Sequence, residues 1–342
     1  MKRIKKSFTY LLVLGIIFAS VLGVSNPKVK ASTIYSKVVL DSLKQYKAEN
    51  HTHTIYMEQY DRKGDYFNFS DRKGFPSPVF KFDNDGVPMT QYRGNYHYNP
   101  VSVAQSALKV YGKYLKTQDD DIKRKFYAHA DKLLELQSKD GAFRLDFTHT
   151  INHIGVVYKP GWVSALAQGQ ALSVLSRAYE LDWNLKYKRA GKNALNFLMT
   201  PKQKGGVMTT LADMSKSWKD NIWFEEYVST PDNYTLNGYM FTLVGLYDWS
   251  HVAGARTDHG QITAEKLFKE GIASLKLMLS KYDLGGFTSY DLTHLVNRQQ
   301  PHINVFYHKV HIYLLHGLYT VTGDTYLKSY RDRWIGYVEK IE

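Results

Sequence analysis

Two short stretches carry side chains able to move protons. The first, WFEEYVSTPDNYTLN over Trp223–Asn237, sets the neighbouring carboxylates Glu225 and Glu226 against Tyr227. Ser229, Thr230, Pro231, Asp232 and Asn233 then break the chain before an apolar-periodic segment begins at Leu236. That is the pattern of a loop feeding a helix N-terminus, where chemistry tends to concentrate. The second stretch, SYDLTHLVNRQQPHINVFYHKVH over Ser289–His311, offers Tyr290 and Tyr307 with His294, His302, His308 and His311. A free phenol ionises at about pH 10, and neighbouring cations lower that value. One phenolate then takes a proton while a second phenol returns one on the opposite face. Beside a carboxylate, such an exchange inverts a carbon; departure of a group from the next carbon makes a lyase instead.

Other chemistries are less well served by these residues. Glu225 and Glu226 are sequence neighbours and point apart in an extended loop. A glycosidase therefore requires a second acid such as Asp291, Asp283 or Asp146. His308 and His311 lie three apart, on one face of a helix. That spacing fits a metal pair, but no HExxH motif or suitably spaced carboxylate accompanies it, so hydrogen bonding is the preferred role. A GxSxG elbow, a P-loop and a Rossmann glycine fingerprint are all missing. Nucleophilic hydrolysis and nucleotide binding are thus unsupported.

The chain has 342 residues, no cysteine, 27 tyrosines and a formal charge of +13. Its first residues, MKRIKKSFTYLLVLGIIFASVLGVSNPKVKAS, combine a cationic start, an apolar run from Phe8 to Val24 and small or apolar residues at Val29 and Ala31. This reads as a secretory signal cleaved after Ala31, with an uncleaved anchor as the alternative. Its six basic residues account for nearly half of the net charge, leaving +7 for the remainder. Such a balance suits an exported protein that meets an anionic polymer. Nucleic acid is not the expected polymer, since no Lys/Arg-rich recognition run exists.

The elements that must position these residues follow from periodicity. Ser36–Glu49 predicts a short helix, and Thr54–Gln91 breaks into aromatic runs split by DRKG turns at Asp61 and Asp71. Tyr66–Ser70 and Val79–Asp83 alternate as strands do. From Asn99 the period becomes helical: Val101–Lys116 with Ile122–Gln137, Val163–Glu180 with Leu185–Met199, Leu236–Ser250 with Thr263–Tyr282, and Val310–Thr320 with Thr325–Ile341. The segments Ala142–Trp162, Val207–Thr235 and Phe287–Lys309 return from each pair to the next. The expected fold is mainly α: an incomplete α/α toroid of about four helical hairpins, with a short β-rich N-terminal region. The expected division is 1–31 leader, 32–98 extended region and 99–342 toroid, with the return segments converging on one mouth.

Longer motifs carry a resemblance. WFEEYVSTPDNYTLNGYMFTLVGLYD, Trp223–Asp248, resembles the W-[YF]-E-E-Y-P-x-T-P…LNG-[YF]-M-[YF]-x-L-x-GLYD core of the D-glucuronyl C5-epimerases of heparan sulfate and heparin biosynthesis. WVSALAQGQALSVLSRAY (Trp162–Tyr179), YNPVSVAQSALKVY (Tyr98–Tyr111), GGFTSYDLTH and FYHKVHI are similar to four further blocks of that family, in the same order. The likeness covers roughly Asp83–Glu342, the family's helical C-terminal part. It implies catalytic tyrosines at Tyr227, Tyr290 and Tyr307, with Glu226 tuning or sharing proton transfer. It also implies substrate contacts at Gly161, Trp162, Ser164, Asn237 and His308. The implied reaction turns glucuronate into iduronate within a chain, without an organic cofactor.

Two positions depart from the family pattern. Thr293 and Asn304 stand where the family has arginines, and cations there would stabilise the enediolate formed on proton removal. A different uronate polymer, replacement cations at Arg298 or Lys309, or loss of activity would each follow. The expected function is a secreted uronosyl C5-epimerase acting on a heparosan-like polymer. A lyase or hydrolase on the same scaffold, and a non-catalytic glycan-binding protein, remain alternatives. Trp162 serves sugar stacking or the core equally well, Gly169 close helix packing, and His302 the surface.

Overall fold

A computed structural model describes residues 36–48, 56–74, 76–252 and 263–339. The expected leader lies outside these residues. Among them, no helix is long and apolar enough to cross a membrane. The architecture is mainly helical. Helix α1 spans Ser36–Ala48, and a three-stranded antiparallel sheet follows, ordered β1 (Phe80–Phe82), β2 (Pro88–Tyr92) and β3 (Asn95–His97). Thr90 is in register with Phe80 on one side and His97 on the other.

Four helix pairs come next: α2 (Pro100–Thr117) with α3 (Asp120–Leu136), α4 (Ala165–Asp182) with α5 (Leu185–Leu198), α6 (Leu236–Ser250) with α7 (Ala264–Tyr282), and α9 (Val305–Thr322) with α10 (Thr325–Glu339). The first helices also pack on one another in sequence, α2 on α4, α4 on α6 and α6 on α9. Helices α4, α6 and α9 are consequently buried nearly all round, whereas α3 and α5 bury one stripe each. At the α4–α6 crossing the backbones touch. A Cβ on Gly169 would meet Thr242 Cα at 2.5 Å, and one on Gly245 would meet the Gly169 carbonyl oxygen at 2.0 Å. Gln168 is structural as well: it accepts from Phe143 N–H at 2.6 Å and donates to the carbonyls of Gly141 and Ala194.

The return segments carry short hairpins. β4 (His149–Ile151) pairs with β5 (Val156–Tyr158), and β6 (Met208–Thr210) pairs with β7 (Ile222–Phe224); the third segment holds a one-turn helix, α8 (Thr293–Val296).

Two expectations need correction. Tyr66–Ser70 is no strand but part of a tight 3-10 segment whose Tyr66, Phe67 and Phe69 join the same core as the helices. The alternation was produced by aromatic residues that all turn inward. Tyr60, upstream of it, donates to buried Asp248 of α6 at 2.8 Å, and Arg177 of α4 reaches the same carboxylate at 2.8 Å. The N-terminal region is thus fastened into the helical layer. Helix α9 also begins five residues before the expected Val310, because Asn304 caps it by accepting from the N–H groups of Phe306 and Tyr307.

Candidate active site

Strand β7 delivers the Glu225–Glu226–Tyr227 run to the start of two buried helices. The Glu225 N–H donates to the Val207 carbonyl at 2.8 Å, and the Glu225 carbonyl receives the N–H of Ala165, first residue of α4, at 2.9 Å. The Glu225 side chain turns into the following loop and accepts the Tyr234 N–H at 3.1 Å. Glu226 faces the other way, as expected of neighbours in extended chain. Its Oε2 accepts the side-chain amide of Asn237 at 3.1 Å. The backbone of Gly238, in the first turn of α6, adds a second hydrogen bond to this carboxylate. A Cβ on Gly238 would lie 2.2 Å from that same Oε2, so only glycine leaves the carboxylate its place. Asn233 locks the loop by donating to the Tyr227 carbonyl and accepting from the Thr235 hydroxyl.

Tyr290 and Tyr307 arrive from the last return segment. The Tyr290 N–H donates to the His302 carbonyl at 2.7 Å, and its carbonyl receives the N–H of Leu236 at the head of α6. Tyr307 stands in the first turn of α9. The rings of Tyr290 and Tyr307 meet edge to face at 4.9 Å, and the phenols of Tyr290 and Tyr227 are close enough to share a hydrogen bond. On the other wall, Trp162 stacks between His149, at 5.7 Å, and Tyr227, at 6.1 Å. Ile151, Ile154 and Tyr158 of the β4–β5 hairpin pack on Trp162 and Tyr227 as a small separate core.

Between these walls lies a cleft of about 240 Å³ lined by Glu226, Tyr227, Asn237, Tyr307, Trp162 and Ser164, among others. The volume is just below that of preformed small-ligand sites. Gly161 lies beside it at φ +91°, held by Leu145 and Arg144.

Other expected substrate contacts lie elsewhere. His308 is fully buried away from the lining: its Nδ1 accepts the Thr288 N–H at 3.1 Å, and its Nε2 lies 3.1 Å from the Trp334 carbonyl. Thr288 Oγ1 also lies within 2.8 Å of His311 Nδ1, so the His308–His311 spacing serves hydrogen bonding inside the core. Lys309 is buried with its ammonium 5.0 Å from the Tyr46 ring, and Arg298 is exposed in the loop after α8. Neither Arg298 nor Lys309 lines the cleft, and Asn304 spends its carbonyl oxygen on the α9 cap. The guanidinium in the lining is Arg72, in the second DRKG turn, resting on Phe69 at 3.6 Å. Sequence reasoning treated that turn as punctuation; its signal was a lone arginine beside an aromatic run. His302, expected at the surface, is half-buried with its ring 3.8 Å from that of His153.

Burial governs the electrostatics. It pushes Glu226 up to about 8, although hydrogen bonds from Tyr227, Asn237 and Gly238 oppose the rise. Tyr227, Tyr290 and Tyr307 are all raised above the ordinary phenol range, first by burial and then by the Glu226 charge. The tyrosines therefore stay protonated near neutrality, where Glu226 is the group that changes charge. This differs from the expected phenolate base, because among the described residues no cation lies against the phenols to lower them.

Comparisons with known proteins address the family of the chain. The family model of the D-glucuronyl C5-epimerase C-terminus matches residues 137–336, which include every catalytic candidate. D-glucuronyl C5-epimerase of Caenorhabditis elegans is 36% identical over 219 residues, 62% of this chain. The chain spans only 34% of the length of that relative. An uncharacterized protein of Methanocaldococcus jannaschii is 29% identical over 283 residues, covering 76% of this chain and 85% of its own length. The chain belongs to the family of the D-glucuronyl C5-epimerase C-terminus.

Proposed function

We propose that this protein is a uronosyl C5-epimerase that converts D-glucuronate to L-iduronate units within an anionic, heparosan-like polysaccharide. The observation that carries the reading is one cleft holding Glu226 at the head of α6 together with the phenols of Tyr227 and Tyr307. Glu226, as carboxylate, removes the C5 proton, and the electron pair of the broken C–H bond passes into the sugar carboxylate as an enediolate. Tyr307 then delivers a proton to the opposite face, forming the new C5–H bond. Tyr227 donates toward the developing charge, and Tyr290, outside the lining, donates to the Tyr227 phenol and positions it. Arg72 holds an anionic group of the polymer at the rim, and the Trp162–His149 stack receives a sugar face. No electron is gained or lost overall, and solvent returns the two protonated groups to their starting states.

Membership of the D-glucuronyl C5-epimerase family supports the reaction type. The sequential packing of α2, α4, α6 and α9 with their partners outside supports an incomplete α/α toroid. The cationic, apolar leader supports export. Among the described residues Glu226 is the one carboxylate in the cleft lining, which weighs against a hydrolase, since that chemistry uses two.

Incubation with heparosan or another glucuronan in deuterated water tests the proposal. An epimerase places deuterium at C5 and leaves chain length unchanged. Unsaturated ends would mean a lyase, new reducing ends a hydrolase, and none of these a glycan-binding protein.

A further inference from the structure

Behind Tyr290, outside the cleft lining, three side chains from separate positions in the chain converge. His153 comes from the turn of the β4–β5 hairpin, Asp291 follows Tyr290, and His302 precedes α9. Each offers one nitrogen or oxygen donor, and the three atoms lie within 4.8 Å of one another. His153 Nε2 is 2.7 Å and His302 Nδ1 3.7 Å from Asp291 Oδ2.

Despite these separations, Asp291 Oδ2, His153 Nε2 and His302 Nδ1 are all buried without a hydrogen-bond partner. The His153–Asp291 ion pair offsets this in part, yet polar atoms gathered in an interior without aligned hydrogen bonds are costly. The Asp291 side chain is fully buried, and its other oxygen is already taken by the N–H and hydroxyl of Thr293. Thr293 thus fixes the carboxylate so that Oδ2 alone is aimed at the two imidazoles. The backbone under it is fixed too: Ser289 Oγ donates to the Asp291 carbonyl at 2.6 Å, and Tyr290 N–H to that of His302.

We propose that His153, Asp291 and His302 bind one divalent transition-metal ion of the zinc class, tying the β4–β5 hairpin to the segment that carries Tyr290. Two imidazoles and one carboxylate are a donor set for zinc or a neighbouring first-row metal, and three protein ligands leave a fourth position open. The imidazoles are 28% and 32% exposed, so small rotations close the donors around an ion and a water can complete it. Both rings also lie edge-on to Tyr290, at 5.9 Å and 5.1 Å, so a bound ion would fix that ring from behind. This site stands whatever reaction the cleft performs.

The test uses untagged, chelator-stripped full-length protein titrated with zinc. Bound metal is counted after dialysis and melting is followed with and without the ion. The expected result is one tightly held equivalent and a rise in melting temperature, both lost in His153→Ala, His302→Ala and Asp291→Asn. Cobalt in place of zinc should give a visible absorption band that the same variants lack. Unaltered zinc binding in the variants would overturn the site, as would its absence from the wild-type protein. The half-exposed histidine variants should keep the metal-free melting temperature, which separates lost metal from a lost fold.

Discussion

The side-chain amide of Asn237 donates to Oε2 of Glu226 over 3.1 Å, so the helix that Asn237 opens also holds the proposed base. That bond stabilises the charged carboxylate, and burial opposes it more strongly, leaving Glu226 at about 8. Exchange at C5 should therefore rise with pH as Glu226 ionises and level off above about 8. Asn237→Ala removes a stabiliser of the anion and should move the midpoint to higher pH. The pH profile of kcat/KM for deuterium uptake checks both statements, and a profile flat through this range would contradict them.

The same raised value has a cost in stability. Glu226 ionises at lower pH in the unfolded chain than in the native one, so the unfolded state releases its proton first. Native stability is fullest below the ordinary carboxylate value and declines as pH climbs toward about 8, by up to roughly 5 kcal/mol. Glu226→Gln should abolish exchange yet melt higher than wild type under mildly alkaline conditions. Parallel melts of the two proteins across pH measure this, and coincident curves would show that Glu226 is not buried as described.

Gly238→Ala offers a test of position alone. The added methyl would stand 2.2 Å from Glu226 Oε2 and 2.5 Å from its Cβ, so the whole side chain must shift. A misplacement of about 1 Å lowers rates by about 100-fold. Loss of exchange with native circular dichroism is the expected outcome.

The helix pairs were legible because α2, α3, α5 and α7 keep an apolar stripe against polar faces. The motif blocks likewise pointed to Glu226, Tyr227 and Tyr307, which the fold brings into one cleft. What escaped depends on contacts between distant segments. Nothing local distinguishes His308, sealed against Thr288 and Trp334, from a histidine that faces a cleft. Arg72 reaches the lining only because the Tyr66–Asp71 turn packs on the helices. His153, Asp291 and His302 meet across a span of the chain that no short pattern covers.

Arg72 is the lining residue suited to an anionic polymer, and it stands at an exposed rim. Arg72→Ala should raise KM about tenfold with little change in kcat. The penalty should shrink as salt rises, because an exposed charge is screened. Steady-state kinetics at low and high ionic strength checks this prediction; an effect on kcat alone would move Arg72 into the chemical step.

In the proposed reaction one proton leaves to Glu226 and another arrives from Tyr307 on the opposite face. The most direct measurement is the isotope at C5 of newly formed iduronate during the first turnovers in deuterated water, read by NMR. The account predicts that every new iduronate carries deuterium, and that Glu226→Gln and Tyr307→Phe form none. Iduronate that keeps its original hydrogen, or either variant forming it at the wild-type rate, would contradict it.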